Sequence, residues 1–282
     1  MAFTLYSATG KDFIGRKALV GELFKELSSK NKIGFSISGI RRIGKTSILR
    51  EVEGMLIEEG IPVVYISIWR ILPSTIDEFT RVLNRTILAA FEHKLPKKFK
   101  FEQLLVTGAK AIGIFLSGLQ LSAKVTEDLE VSAAYVKKES EDVEAAITKS
   151  VSLIEHLAEM TKSKCILIID EFPSIVDLTY GEKNRKIGFD IAKLLRTLFE
   201  EFKYTKLVVS GSYRDTLDNL VTKANAPFYK QLLLREVQAF TKSEFDDFLK
   251  HYLSDLKFAD IETKELLYKI SSGIPYNLQL LG

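Results

Sequence analysis

Residues 36–47 read Ser36-Ile37-Ser38-Gly39-Ile40-Arg41-Arg42-Ile43-Gly44-Lys45-Thr46-Ser47, and the fold turns on what flanks this stretch. Upstream, Ile33 to Ile37 is β-branched and aromatic, the composition of a strand. Downstream, Thr46 to Glu59 reads as a helix. Strand, glycine-bounded loop, helix is the context that makes Gly-x-x-x-x-Gly-Lys-Thr a phosphate-binding loop.

The residue types suit a polyphosphate. Gly39 and Gly44 reach backbone angles closed to other residues, so successive N–H groups can converge on phosphate oxygens. A helix opening at Lys45 adds its dipole and its unpaired N–H groups. Lys45 brings a point charge to the β- and γ-phosphates, and the Thr46 hydroxyl is a ligand for Mg²⁺. Ile40, Ile43 and Ser47 complete the cradle, while Arg41 and Arg42 either add charge near the γ-phosphate or face solvent. No Asn/Thr-Lys-x-Asp run follows the later strands, which favours ATP over GTP.

Further short apolar runs at Val63–Trp69, Cys165–Ile169 and Lys206–Ser210 have the pattern of strands buried on both faces of a parallel sheet. Helical segments separate them: Ile76–His93, Glu139–Met160 and Lys186–Phe202, with another at Lys17–Leu27. Val143, Ile147, Val151, Ile154 and Leu157 make one apolar stripe, a core face. The alternation predicts an α/β fold with a parallel sheet flanked by helices. From about residue 97 to 137 the pattern is lost, and this stretch is expected to be an insertion. Beyond Thr241 only helices are expected (Lys242–Leu253, Ile261–Ile270, Ile274 onward), so the predicted domains are 1–238 and a helical 239–282.

Composition is that of an ordinary globular protein, with 46% hydrophobic and 27% charged residues. A net charge of +3 does not by itself call for a polyanionic partner. The basic run from Lys94 to Lys100 is read as a solvated loop, and Asn84-Arg85-Thr86 as part of a helix rather than a glycosylation site. Cys165 is the single cysteine, which excludes an intrachain disulfide. Residues 1–20 lack a secretory apolar stretch, and Ala111–Ala123 is too short to span a bilayer, so the expected location is cytoplasmic.

Cys165-Ile166-Leu167-Ile168-Ile169-Asp170-Glu171 ends an apolar strand in two acids. At the C-terminal end of a parallel strand, Asp170 would hold Mg²⁺ and Glu171 would polarise the attacking water. Lys206 to Ser212 is a second apolar strand with a polar end. If it lies between the strands bearing the loop and the acids, Ser210 or Ser212 reaches the γ-phosphate or the water. Otherwise Ser212 is an ordinary helix N-cap.

The set resembles the archaeal ATPase family, in the STAND branch of AAA+-related P-loop NTPases. The matching elements are Phe13-Ile14-Gly15-Arg16, Gly39 to Ser47, Asp170-Glu171-Phe172-Pro173, Ser210-Gly211-Ser212, Ala226-Pro227-Phe228-Tyr229 and Gly273-Ile274-Pro275-Tyr276. The resemblance implies an ATP-binding core with a helical lid, Gly15 and Arg16 near the adenine or ribose, and Pro275 lining the nucleotide from the lid. It also implies a nucleotide-dependent switch that commonly continues into a winged helix; self-association or a protein partner is expected instead from the arginine missing after Tyr229 and the apolar stretch Ala111–Ala123. DNA contact would come only through such a domain, beyond the apolar ending Leu280-Leu281-Gly282. One departure stands out: Tyr229-Lys230-Gln231 occupies the place of Tyr-Gly-Arg, so an arginine is missing there and Arg214 or Arg235 is the candidate substitute.

Overall fold

The computed structural model describes residues 7–95, 143–181, 183–212, 214–252 and 261–281. The expected insertion at 97–137, with Ala111–Ala123 inside it, lies outside these residues, as does the head of the helix expected from Glu139.

Helix α1 (Lys17–Ser28) leads into β1 (Gly34–Ser38), whose loop feeds α2 (Lys45–Glu58). Strand β2 (Val63–Ser67) is followed by α3 (Ile76–Phe91), α4 (Val143–Met160) and β3 (Cys165–Asp170). A small antiparallel pair, β4 (Thr179–Tyr180) and β5 (Arg185–Lys186), precedes α5 (Gly188–Glu201) and β6 (Thr205–Gly211). After β7 (Leu232–Glu236) the chain ends in α6 (Lys242–Tyr252), α7 (Ile261–Ser271) and α8 (Pro275–Leu281).

The main sheet has five strands in the order β2-β3-β6-β1-β7, all parallel. Strand β6 therefore lies between β1, which carries the glycine loop, and β3, which ends in the two acids. Phe35 pairs with Val208 on one side of it and Ile169 with Val209 on the other.

Every residue of β3 and β6 is buried, as the continuous apolar runs require. The pleat sends alternate residues to opposite cores. Ile166 and Ile168 pack with Phe35 and Ile37 against α1 and α2, where Leu23, Ile48 and Val52 wait. Leu167 and Ile169 pack the other way, against Leu83 of α3, Val151 and Ile154 of α4 and Leu195 of α5. Each such side chain contributes roughly 1.5–3 kcal/mol on burial, so both faces hold the sheet in register. Of the stripe expected on α4, Ile147, Val151, Ile154 and Leu157 are buried and Val143 is partly buried against the same core.

Strand β7 was not expected. Leu232-Leu233-Leu234-Arg235-Glu236 neither alternates nor runs continuously apolar, and Leu233 and Leu234 are exposed at the sheet edge. Its strand character comes from pairing with β1, from Gly34↔Leu232 to Ser38↔Glu236, which no local pattern encodes.

The C-terminal helices form their own cluster of Phe240, Phe245, Phe248, Leu249, Tyr252 and Leu278, with Ile14 against it. Two long-range bonds fasten the N-terminal segment there: Tyr252 OH donates to the Asp12 carbonyl at 2.7 Å, and the Arg16 N–H donates to Glu244 Oε1 at 2.6 Å. Among the described residues, no helix is long and apolar enough to cross a membrane.

Candidate active site

The loop after β1 turns on two glycines. Gly39 (φ +153°) has a neighbour, the Val237 carbonyl, only 2.9 Å from where a Cβ would stand. Gly44 (φ +101°) is left-handed at the N-cap of α2, where a side chain is disfavoured. Lys45 begins the helix and is buried, its ammonium donating to the carbonyls of Gly39 at 3.0 Å and Ile40 at 3.1 Å. A third bond reaches across the sheet to Ser212 Oγ, at 2.8 Å.

Ser212 accepts from Lys45 and has its own proton left to donate. That proton goes to Glu171 Oε1, at 3.1 Å. Loop, acid and the end of β6 are thus joined through one hydroxyl. Burial raises the Glu171 carboxyl above its ordinary value; Lys45 opposes the rise and Asp170 adds to it. Burial likewise lowers the Lys45 ammonium, against the pull of Glu171 and Asp170. The two groups are held close in a place that favours the neutral form of each. Glu171 also sits in the left-handed region (φ 53°), a costly conformation for a residue with a side chain.

Asp170 is buried, and each oxygen of its carboxylate receives two bonds. Oδ2 accepts from Thr46 Oγ1 at 2.9 Å and Tyr65 OH at 2.8 Å. Oδ1 accepts from the Glu171 N–H at 3.1 Å and from Ser210 Oγ. Proximity to Asp170 adds to burial in raising the Tyr65 phenol, whose ring also lies 3.4 Å from the guanidinium carbon of Arg50.

Thr46 and Asp170 are a hydroxyl and a carboxylate side by side, both hard oxygen donors. Among the described residues no cluster of three or more His, Cys, Asp or Glu could hold a metal. Such a sparse set suits Mg²⁺, which takes much of its shell from water and substrate phosphates, and does not suit zinc.

A cavity of about 410 Å³ opens over this group, lined by Arg41, Arg42, Lys45, Thr46, Glu171 and Ser212 among others. Pro275, Gln279 and Ser47 border both it and a neighbouring hollow of about 50 Å³, lined by Phe13, Ile14, Arg16, Ile43 and Phe240. Arg16 and Pro275 therefore border the same hollow. Gly15 instead packs beneath α6, where an added Cβ would meet Phe240 at 3.0 Å and Glu244 at 3.1 Å. Ile40 is exposed and borders neither space.

Arg41 and Arg42 are solvent-exposed yet stacked. The guanidinium of Arg41 lies 5.2 Å from the Trp69 ring centroid, and that of Arg42 lies 4.0 Å from the Tyr276 centroid. Ser210 bonds Asp170, leaving Ser212 as the serine that reaches the cavity. Of the two substitute arginines, Arg235 is held by Glu22 through Nε at 2.9 Å and through Nη2 and borders neither space; the Arg214 side chain lies outside those described. The sequence assigns no role to Tyr65 or Trp69, and it gives Tyr276 only a place in the Gly273–Tyr276 element. Tyr65 sits mid-strand in an apolar run, where an aromatic reads as core, and nothing local announces its hydroxyl.

Comparison with solved structures gives fold relatives. A Walker-type ATPase from Pyrococcus abyssi superposes with a TM-score of 0.65 at 20% identity, over 99% of this chain and 69% of that one. Cdc6p from Pyrobaculum aerophilum gives 0.53 at 11% identity, over 96% and 61%. The ORC2 protein of Aeropyrum pernix gives 0.50 at 14%, over 96% and 62%. The chain thus spans between three-fifths and about seven-tenths of the length of these relatives. Comparison with curated proteins gives no match. Residues 13–281 match the model of an ATPase domain predominantly from Archaea, a span that takes in both the glycine loop and α8, and the chain belongs to that family.

Proposed function

We propose that this chain binds ATP with Mg²⁺, hydrolyses it slowly, and works as a nucleotide-driven switch. The observation that carries this reading is the single hydroxyl of Ser212 linking Lys45 to Glu171, beside the Thr46–Asp170 pair. Lys45 and the loop amides bind and orient the β- and γ-phosphates. Glu171 holds a water in line with the γ-phosphorus and takes its proton as the water oxygen bonds to phosphorus and the bond to the β–γ bridging oxygen breaks, releasing ADP. A carboxyl raised by burial is a better base than an ordinary one. Thr46 and Asp170 are the residues that would hold Mg²⁺, which when bound offsets charge on the phosphate oxygens. Glu171→Gln is expected to keep Mg·ATP binding by calorimetry and to lose turnover by about 10²–10⁴-fold. Unchanged turnover removes Glu171 from the mechanism.

The chain is further read as a core over 1–238 and a helical lid over 239–282, in the STAND branch of AAA+-related proteins and in the cytoplasm. A second reading, a nucleotide-gated scaffold with negligible turnover, is favoured by the engagement of Arg235 with Glu22 and by Lys230 where the family pattern has glycine before an arginine. Single-turnover rates measured across protein concentration separate the two. A rate that climbs with concentration means an arginine supplied by self-association or a partner, whereas a flat, negligible rate supports the scaffold. Contact with DNA is assigned to no residue here, because a net charge of +3 gives little counterion-release drive.

A further inference from the structure

We propose that Arg42 discriminates triphosphate from diphosphate and passes the difference to α8 by exchanging the Tyr276 ring for the terminal phosphate. The inference rests on the Mg·ATP reading above and adds a residue pair to it.

Three observations converge. First, Arg42 and Tyr276 line the larger cavity together with Lys45, Glu171 and Ser212, but neither borders the smaller hollow of Phe13, Ile14 and Arg16. They share one cavity with the acid and the ammonium. Second, Arg16, Arg50, Arg81, Arg196 and Arg235 each have a glutamate partner. Arg41 and Arg42, like Arg70, Arg85 and Arg185, have no carboxylate within ion-pair distance among the described residues, but these two border the cavity and are stacked on aromatic rings. A carboxylate there would compete with an anionic ligand, while a ring holds the guanidinium in place without neutralising it. Third, Arg42 has a left-handed backbone (φ 67°) inside the loop, a conformation that costs energy in a residue with a side chain and turns it out from the loop.

The direction of the exchange follows from interaction strength. A solvent-exposed guanidinium on a half-buried ring gains modestly, whereas a charge-assisted, bidentate contact to phosphate is among the strongest hydrogen-bonded pairs. A terminal phosphate within reach would win Arg42 from Tyr276. A diphosphate, one group shorter, would leave the stack intact. Tyr276 is the second residue of α8, and Leu278 in the same helix belongs to the cluster of Phe240, Phe245 and Phe248. Loss of the stack thus removes a tie between the loop and the C-terminal helices only when the third phosphate is present.

The test compares Mg·ADP with the non-hydrolysable β,γ-imido analogue of Mg·ATP, by calorimetry on the wild type, Arg42→Gln and Tyr276→Leu, with melting curves to establish folding. Arg42→Gln is expected to keep diphosphate affinity and to lose about tenfold in triphosphate affinity. Tyr276→Leu, with no ring to give up, is expected to bind the analogue at least as tightly as the wild type. Amide exchange in 275–281 should quicken with the analogue and not with ADP, and lose that difference in Arg42→Gln. Equal losses for both nucleotides in Arg42→Gln, weaker analogue binding in Tyr276→Leu, or exchange that ignores the third phosphate each overturn the proposal while leaving the ATP reading intact. A wild type that binds neither nucleotide overturns the ATP reading itself, and this proposal with it.

Discussion

Lys45 and Glu171 are held to one another through a third side chain: the ammonium donates to Ser212 Oγ at 2.8 Å, and that hydroxyl donates onward to Glu171 Oε1 at 3.1 Å. The loop after β1 and the acid after β3 would otherwise be separated by a whole strand, because β6 lies between them. The end of β6 supplies the bridge. The same insertion carries Ser210 to Asp170.

Ser212→Ala breaks that bridge without altering the cradle. A hydrogen bond to a charged group is worth about 1.5–3 kcal/mol, so kcat is expected to fall roughly ten- to a hundredfold. The KM for Mg·ATP should change much less, since the loop amides and Lys45 remain. Steady-state kinetics decides; a rise in KM at constant kcat would assign Ser212 to binding alone.

Tyr65 supports Asp170 from below, through the bond at 2.8 Å. In Tyr65→Phe the carboxylate keeps Thr46, Ser210 and the Glu171 amide but loses one of its four donors. Removing a support behind a metal ligand typically costs on the order of tenfold in metal affinity. The Mg²⁺ concentration for half-maximal turnover should therefore rise by about tenfold, with the rate restored at saturating Mg²⁺. No change in that Mg²⁺ requirement assigns the phenol to packing only.

The raised carboxyl of Glu171 predicts opposite pH effects on activity and stability. Turnover needs the ionised form, so the acid limb of kcat/KM, which reports the nucleotide-free chain, should lie above the ordinary 4.5 of a glutamate. For stability, the folded value lies above the unfolded one. Between the two the folded chain retains a proton that the unfolded chain has lost, and stability falls as pH rises through that window. Glu171→Gln removes this cost. The nucleotide-free variant should melt above the wild type at neutral pH, and the gap should close below 4.5. A variant that melts lower at neutral pH contradicts this sign.

Lys206, at the opposite end of β6, closes the C-terminal end of α1. Its ammonium donates to the carbonyls of Glu26 at 2.7 Å, Leu27 at 3.0 Å and Ser29 at 2.9 Å. These are carbonyls that a helix end leaves without intrahelical partners. Lys206→Met keeps the stem but takes this donor from the Leu27 and Ser29 carbonyls, while Glu26 keeps the Ser29 hydroxyl at 2.7 Å. The change should cost about 1–3 kcal/mol in urea unfolding while Mg·ATP affinity stays unchanged. A neutral result would mean that water replaces the ammonium at no cost.

What was legible in the sequence was local. The loop Gly39–Ser47 is a run of backbone requirements and charges that act within a few residues of one another. The buried strands announce themselves because a parallel sheet covered on both faces demands continuous apolar runs. Asp170 and Glu171 follow such a run directly, so their place at a strand end could be read off. Strand β7 could not, since its residues are half exposed and its strand form is imposed by β1.

The tertiary structure alone decided which distant groups meet. Tyr65 and Asp170 lie 105 residues apart, and Lys45 and Ser212 lie 167 apart. Nothing in either local stretch specifies the other, because the first contact exists only once β2 pairs with β3 and the second only once β6 lies between β1 and β3. The same holds for Arg42 on Tyr276, where the turn of the loop was written in its glycines and the ring it meets was set by how α8 packs. Short-range pattern fixes the conformation of a segment, whereas pairing across the chain is fixed by the one arrangement that buries both faces of the sheet together.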